Sequence, residues 1–222
     1  DAEPRRSLED YDCLMIPGGF SSGDYVRAGA IFAARIKSKL MNEVIDLLER
    51  GGLIVGICNG FQVLVKSGLL PGDDSGPEKS VTITCNDSGR FEDRWVYLQP
   101  QTSKCVFIEP GRRIYLPVAH GEGKVVTKDD SILELLKAGE HIAFKYVDKD
   151  GNEGSYPVNP NGSVDSIAGL TDTTGRVLGL MPHPERFIRP TQHPHWRRFK
   201  EGPEPDGITI FETAIRYARQ NL

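Results

Sequence analysis

Leu53-Ile54-Val55-Gly56-Ile57 runs directly into Cys58-Asn59-Gly60-Phe61-Gln62, and this junction decides the fold. Five residues without a polar side chain read as a strand buried on both faces, the kind found in parallel sheets covered by helices. The chain then restarts as a helix, so Cys58 stands at a tight strand-to-helix corner. A thiol there projects past the end of the sheet, where the unpaired N–H groups of the helix favour negative charge. The corner points to covalent catalysis.

Strands and helices alternate outward from it. Residues 11–16 read as a strand ending at Pro17-Gly18-Gly19, and Ile36, Leu40, Val44, Leu47 and Leu48 recur at helical spacing until Gly51-Gly52 stops the helix. Such units imply an α/β fold, a doubly wound and mostly parallel sheet flanked by helices, with its chemistry at the carboxyl ends of the strands. The middle of the chain is β-rich and supplies added antiparallel strands, at residues 81–84, 95–98, 113–118, 123–126 and 142–147, with a short helix at 130–138. Strands at 166–170 and 177–181 surround the Thr174-Gly175 turn, and a last helix spans 209–221. No repeat or low-complexity linker divides the chain, so residues 1–222 read as a single domain.

Composition narrows the function. A net charge of −4 with 27 scattered basic residues offers no surface that would track phosphates, so no nucleic acid is expected. No apolar run approaches the roughly 18 residues that span a bilayer, and no leader pattern opens the sequence; a cytoplasmic protein without membrane contact is expected. Cys13, Cys58, Cys85 and Cys105 form no C-x-x-C pair, which argues against a zinc knuckle or redox dithiol. Cys13, Cys85 and Cys105 fit buried, reduced thiols in strands.

A catalytic thiol needs a base. His183 stands in Pro182-His183-Pro184-Glu185 at the end of the 177–181 strand, where a parallel sheet brings it beside the end of 53–57. The prolines stiffen the backbone around the imidazole. Glu185 can accept a hydrogen bond from its second nitrogen and so orient it. Cys58, His183 and Glu185 form a candidate triad. The Gly18-Gly19 turn and the Asn59 backbone are candidate oxyanion donors, because glycine lets the main chain approach a carbonyl and the amide after the nucleophile points into the corner. His120 either lines a pocket or merely ends a strand. His141, His193 and His195 read as surface or core-satisfied residues, and the His193-Pro194-His195 string lacks a second ligand cluster, so no metal is expected.

Taken together, Pro17-Gly18-Gly19-Phe20-Ser21, Gly23-Asp24-Tyr25, Arg27-Ala28-Gly29-Ala30, the 56–62 corner and Gly179-Leu180-Met181-Pro182-His183-Pro184-Glu185-Arg186 resemble class I glutamine amidotransferases. The likeness is strongest to the branch that serves phosphoribosylformylglycinamidine synthase in purine biosynthesis. It implies a glutaminase that passes ammonia to a partner synthase, which converts formylglycinamide ribonucleotide to formylglycinamidine ribonucleotide. On this resemblance Cys58 attacks glutamine, His183 protonates the departing ammonia, Glu185 orients His183, and Gly19 with Asn59 forms the oxyanion hole. Gln62, Gly18, Ser88 and His120 are expected to bind substrate, and the strings 86–91 and 119–123 to lie near the pocket.

The implied partners are L-glutamine and a synthase subunit or domain, with room for a small accessory protein. This chain is expected to carry no cofactor. ATP and magnesium belong to the synthase, since the sequence lacks the phosphate-binding G-x-x-x-x-G-K-[ST] string. The branch begins with a further strand and helix, on the order of 30 residues, so this domain is expected to lack its first strand-helix unit. Residues 190–207 read as an enlarged loop with no assigned chemistry. Two readings compete with the glutaminase: a DJ-1/PfpI-like cysteine hydrolase, and a scaffold subunit that binds glutamine without turning it over.

Overall fold

The computed structural model describes residues 7–24, 27–72 and 80–222; Tyr25 of the Gly-Asp-Tyr string lies outside them. Among the described residues nine strands follow in chain order: β1 (Cys13–Ile16), β2 (Leu53–Ile57), β3 (Val81–Cys85), β4 (Glu92–Pro100), β5 (Ile114–His120), β6 (Glu122–Thr127), β7 (Ile142–Val147), β8 (Ile167–Thr171) and β9 (Val177–Leu180). The helices are α1 (Ala30–Lys39), α2 (Met41–Glu49), α3 (Asn59–Ser67), α4 (Asp130–Ala138) and α5 (Ile208–Asn221). The single helix expected through Leu48 is two helices. Leu40, at φ −124° and ψ −3°, leaves helical backbone, ends α1 and opens α2. The apolar period runs through the break and conceals it.

Seven strands form one mixed sheet in the order β1-β2-β9-β8-β7-β4-β5, and β3 pairs with β6 as a separate antiparallel ribbon. The β1–β2 and β2–β9 pairs are parallel and the remaining ladders antiparallel. Five of the seven strands, all but β8 and β4, therefore run the same way and end on one side. β2 is buried along its whole length, as its unbroken apolar run predicts. Phe61 and Leu64 of α3 pack with Leu70, Leu178 and Leu180 in the core.

The sheet is not flat. At about 4.8 Å per ladder, five ladders would separate β5 from β2 by roughly 24 Å. Instead the His183 N–H donates to the Pro117 carbonyl of β5 at 2.8 Å, and Cys58 Sγ lies 3.7 Å from the Ala119 carbonyl. The sheet curls until its far edge meets the turn after β9.

Residues 187–207 secure that edge. His193 packs its ring among Trp95, Tyr115, Phe187 and Phe199, and Asp206 accepts a hydrogen bond from the Tyr115 N–H at 2.9 Å. The enlarged loop thus covers an edge strand that would otherwise present unpaired backbone. One cysteine departs from expectation: Cys85 is exposed. It ends β3 at a register shift against β6, which takes its side chain off the buried face.

Two glycines make the strand-to-helix corner possible. A Cβ on Gly60 would stand 2.0 Å from the Ile16 carbonyl oxygen, and one on Gly56 would stand 2.6 Å from the Gly60 carbonyl. Both obstacles are backbone and cannot swing aside. Gly60→Ala is expected to cost about 3 kcal/mol, at the upper end of ordinary overpacking. Gly68→Ala, at φ +85° with nothing within 4 Å, is expected to cost about 1 kcal/mol. Denaturant melts of the two variants check this ordering; equal losses would contradict it.

Candidate active site

The carboxyl ends of β1, β2, β9 and β5 supply, in turn, the 17–19 turn, Cys58, the 181–185 turn and His120. Cys58 occupies φ 52° and ψ −105°, a conformation that costs a non-glycine residue about 1–3 kcal/mol and is retained where the surroundings over-determine it. Here its N–H donates to the Leu180 carbonyl at 2.7 Å, and its carbonyl accepts the Gln62 N–H at 3.1 Å. The thiol sits at the N-cap of α3. Asn59, the first residue of that helix, has an N–H with no intrahelical acceptor.

His183 is buried, and its Nδ1 lies 2.6 Å from Glu185 Oε1. A carboxylate accepts at that distance, so Nδ1 carries the proton. Nε2 is then the free basic nitrogen, and it is buried without a protein hydrogen-bond partner. Gly18 backs both groups. A Cβ there would fall 2.8 Å from His183 Cε1 and 3.4 Å from Cys58 Cβ, so glycine at this position lets the imidazole and the cysteine flank one point.

A cavity of about 440 Å³ opens onto this corner. Gly19, Cys58, Gln62, His120 and His183 line it, with Phe20, Phe91, Asp93 and Arg186 among its other walls. Gly19 adopts φ +131° with open space where a Cβ would be. Gln62 spends its amide on the protein: Oε1 accepts from Asn59 Nδ2 at 2.9 Å, and Nε2 donates to the Glu122 carbonyl at 2.6 Å. It ties the start of α3 to the 119–123 segment.

Two expected substrate contacts stand elsewhere. Gly18 lies behind His183 and does not line the cavity. Ser88 lies in a separate depression with Asp87 and Tyr156, its hydroxyl donating to Glu92 Oε1 at 3.1 Å. The reason is the turn at 86–89, closed by Gly89 N–H to the Asn86 carbonyl, which carries Ser88 away from the cavity and lets the chain return at Phe91. Sequence reasoning missed Asn86 as an individual residue. Its role depends on partners 34 and 37 residues away, and the 86–91 string points only to the neighbourhood of the pocket.

The other thiols are unlike Cys58 in setting. Cys13 faces an apolar groove between β1 and α5, lined by Met15, Val55 and Ile210 among others. Burial, with a smaller contribution from Asp12, pushes its thiol up to about 11. Burial likewise pushes Cys105 up to about 11. Both are protonated at neutral pH.

Burial, with a smaller contribution from the nearby His183, lowers the His120 pKa to about 4 from 6.5. The folded state therefore binds fewer protons than the unfolded chain between these values. The stability this neutral ring contributes is full above pH 6.5 and is lost as pH falls towards 4, in all about 3 kcal/mol. Urea melts across pH 4–7 are expected to show this slope in the parent and a shallower one in His120→Gln. Parallel profiles would rule out a neutral, buried His120.

Residues 2–218 match the model of the CobB/CobQ-like glutamine amidotransferase domain. The phosphoribosylformylglycinamidine synthase subunit PurQ of Dehalococcoides mccartyi is 47% identical over 221 residues, spanning 99% of this chain and 84% of that protein. The subunit of the same name from Archaeoglobus fulgidus is 46% identical over 224 residues, spanning 97% and 81%. Among solved structures, PurLQS from Thermotoga maritima superposes with a TM-score of 0.71 at 33% identity, over 96% of this chain and 82% of that one. With its cysteine corner, its buried histidine–glutamate pair and matches that run along nearly its full length, this chain belongs to the CobB/CobQ-like glutamine amidotransferase family.

Proposed function

We propose that this chain is a glutaminase that hydrolyses L-glutamine to glutamate and ammonia through a cysteine thioester, and that the ammonia serves phosphoribosylformylglycinamidine synthase. One observation carries the reading: Cys58 at a positive-φ corner shares the point behind Gly18 with an imidazole whose other nitrogen is engaged by Glu185. The synthase named in the closely matching relatives supports the destination.

In this mechanism His183 Nε2 takes the Cys58 proton and Sγ attacks the carboxamide carbon. The oxyanion that forms is met by backbone N–H groups at Gly19 and Asn59, of which a single donor is worth about 3–4 kcal/mol in comparable sites. His183 returns the proton to the nitrogen as the C–N bond breaks, releasing ammonia and leaving a γ-glutamyl thioester. Water, deprotonated by the same nitrogen, then cleaves the C–S bond to give glutamate and restore the thiol. Glu185 holds the imidazole in the tautomer both steps need. No step calls for a metal or a nucleotide, in keeping with ATP and magnesium acting on the synthase.

Ammonia released into water at neutral pH becomes ammonium and loses its lone pair. Direct transfer therefore favours a synthase docked over the cavity mouth, where Phe20 and Phe91 are exposed. A small accessory protein is compatible with such a complex.

Glutamate release from glutamine, measured with and without the synthase and its nucleotide substrates, tests the proposal. Cys58→Ala is expected to abolish release, His183→Ala to lower kcat by at least about 10³-fold, and Glu185→Gln to lower it less. A glutamine-like electrophile is expected to label Cys58 before Cys13, Cys85 or Cys105. Undiminished release by Cys58→Ala would sink the thioester mechanism, and no release by folded parent protein with the synthase present would favour a scaffold.

A further inference from the structure

The cavity wall holds two imidazoles, and the reaction proposed above uses one. His120 ends β5, is buried, and has an Nε2 without a protein partner. Buried polar atoms are rarely left unpaired, and one in the wall of a ligand-sized cavity asks for a partner on the ligand. Which ring nitrogen carries the proton decides what that partner must be.

Asn86 decides it. Its Nδ2 donates to the carbonyls of Arg90 at 2.8 Å and His120 at 2.9 Å, while its Oδ1 accepts the Gly123 N–H at 3.1 Å. Carbonyls only accept and a backbone N–H only donates, so flipping the amide would break all three bonds. Oδ1 is therefore the atom 3.1 Å from His120 Nδ1, and Nδ1 must carry the proton. In the neutral ring Nε2 then offers a lone pair. The imidazole packs directly against Gly123, where a Cβ would come within 2.3 Å of its Cε1, so only glycine there leaves room for the ring in this position.

We propose that Asn86 is a positioning residue of the glutamine pocket: it locks His120 as the Nδ1–H tautomer, so that Nε2 accepts a hydrogen bond from an N–H group of glutamine. The inference rests on the glutaminase reading. Glutamine offers N–H donors at its carboxamide and its ammonium group, and the neutral ring receives either, whereas an imidazolium would present a second donor and repel both.

Asn86→Asp tests the lock. A carboxylate at this position still accepts from Nδ1–H but favours the imidazolium, raising the His120 pKa. The other titratable or charged groups around the ring are His183 and Cys58 from their turns, Glu122, Asp93 and Arg186 in the same cavity, and Glu92, which pairs with His120 across β4–β5 and is bonded to Arg94 and Ser88. All are shared by parent and variant, so the difference between their profiles reports His120 together with the carboxylate introduced beside it.

With the synthase present, KM for glutamine in Asn86→Asp is expected to rise about tenfold at pH 6, the loss of one hydrogen bond, with kcat much less affected. KM should return towards the parent value as pH rises past the raised pKa. A merely structural lesion would not follow pH in this way. Selective weakening of glutamine over glutamate would assign the donor to the carboxamide, and equal weakening to the ammonium; either supports the proposal.

A KM that keeps the parent's pH profile overturns it. Imidazole ¹⁵N spectra of the parent and of Cys58→Ala decide the tautomer even where Asn86→Asp does not fold. A protonated Nδ1, and an Nε2 resonance that moves when glutamine binds, are expected; a protonated Nε2, or no movement, overturns the lock. Cys58→Ala turnover, measured alongside, separates this failure from failure of the glutaminase reading itself.

Discussion

The close approach of α3 to the end of β1 is the constraint on which the site depends. Gly60 touches the Ile16 carbonyl with no room for a methyl group, and Gly56 touches Gly60 in the same way. That contact lets the chain leave β2 and enter a helix within one residue. The residue at the bend is Cys58, and its positive φ follows from the sharpness of the turn. Local strain is offset by buried backbone hydrogen bonds on either side, to Leu180 and from Gln62. The proposed nucleophile is thus held by main chain, which gives it a defined position before any substrate arrives.

A second constraint is the curl of the sheet. Parallel strands deliver the 17–19 turn, Cys58 and the 181–185 turn to one side through adjacency alone. The strand carrying His120 is five ladders away from β2, and reaches the site because the antiparallel half bends round and bonds to the His183 backbone. The 187–207 segment sustains that bend by packing His193 among aromatic rings and placing Asp206 against the edge of β5. A loop without chemistry of its own thereby supports the chemistry.

Electrostatics sort the ionisable groups into roles. His183 keeps a carboxylate on one nitrogen and leaves the other free, the arrangement a proton shuttle requires. His120, in the wall of the same cavity and also buried, has an amide in place of a carboxylate and is kept neutral chiefly by its burial. Under the proposed roles, shuttle and fixed acceptor are distinguished by whether the side chain supporting the ring is a carboxylate or an amide.

The alternation of apolar strand and amphipathic helix, the glycines that bracket Cys58 and the proline-framed His183-Pro184-Glu185 were legible in the sequence, because each is a local demand met by nearby residues. The break at Leu40 was not, since the apolar period continues across it. The placement of Ser88 outside the cavity was not legible either, because it depends on the turn at 86–89. Asn86 was invisible as a determinant because its partners come from 34 and 37 residues further along. By itself, then, the sequence determined most of the elements, the corner and the candidate reacting groups. Tertiary structure alone decided which distant segments close the cavity and which tautomer His120 holds, because sheet curvature and long-range hydrogen bonds are properties of the assembled chain.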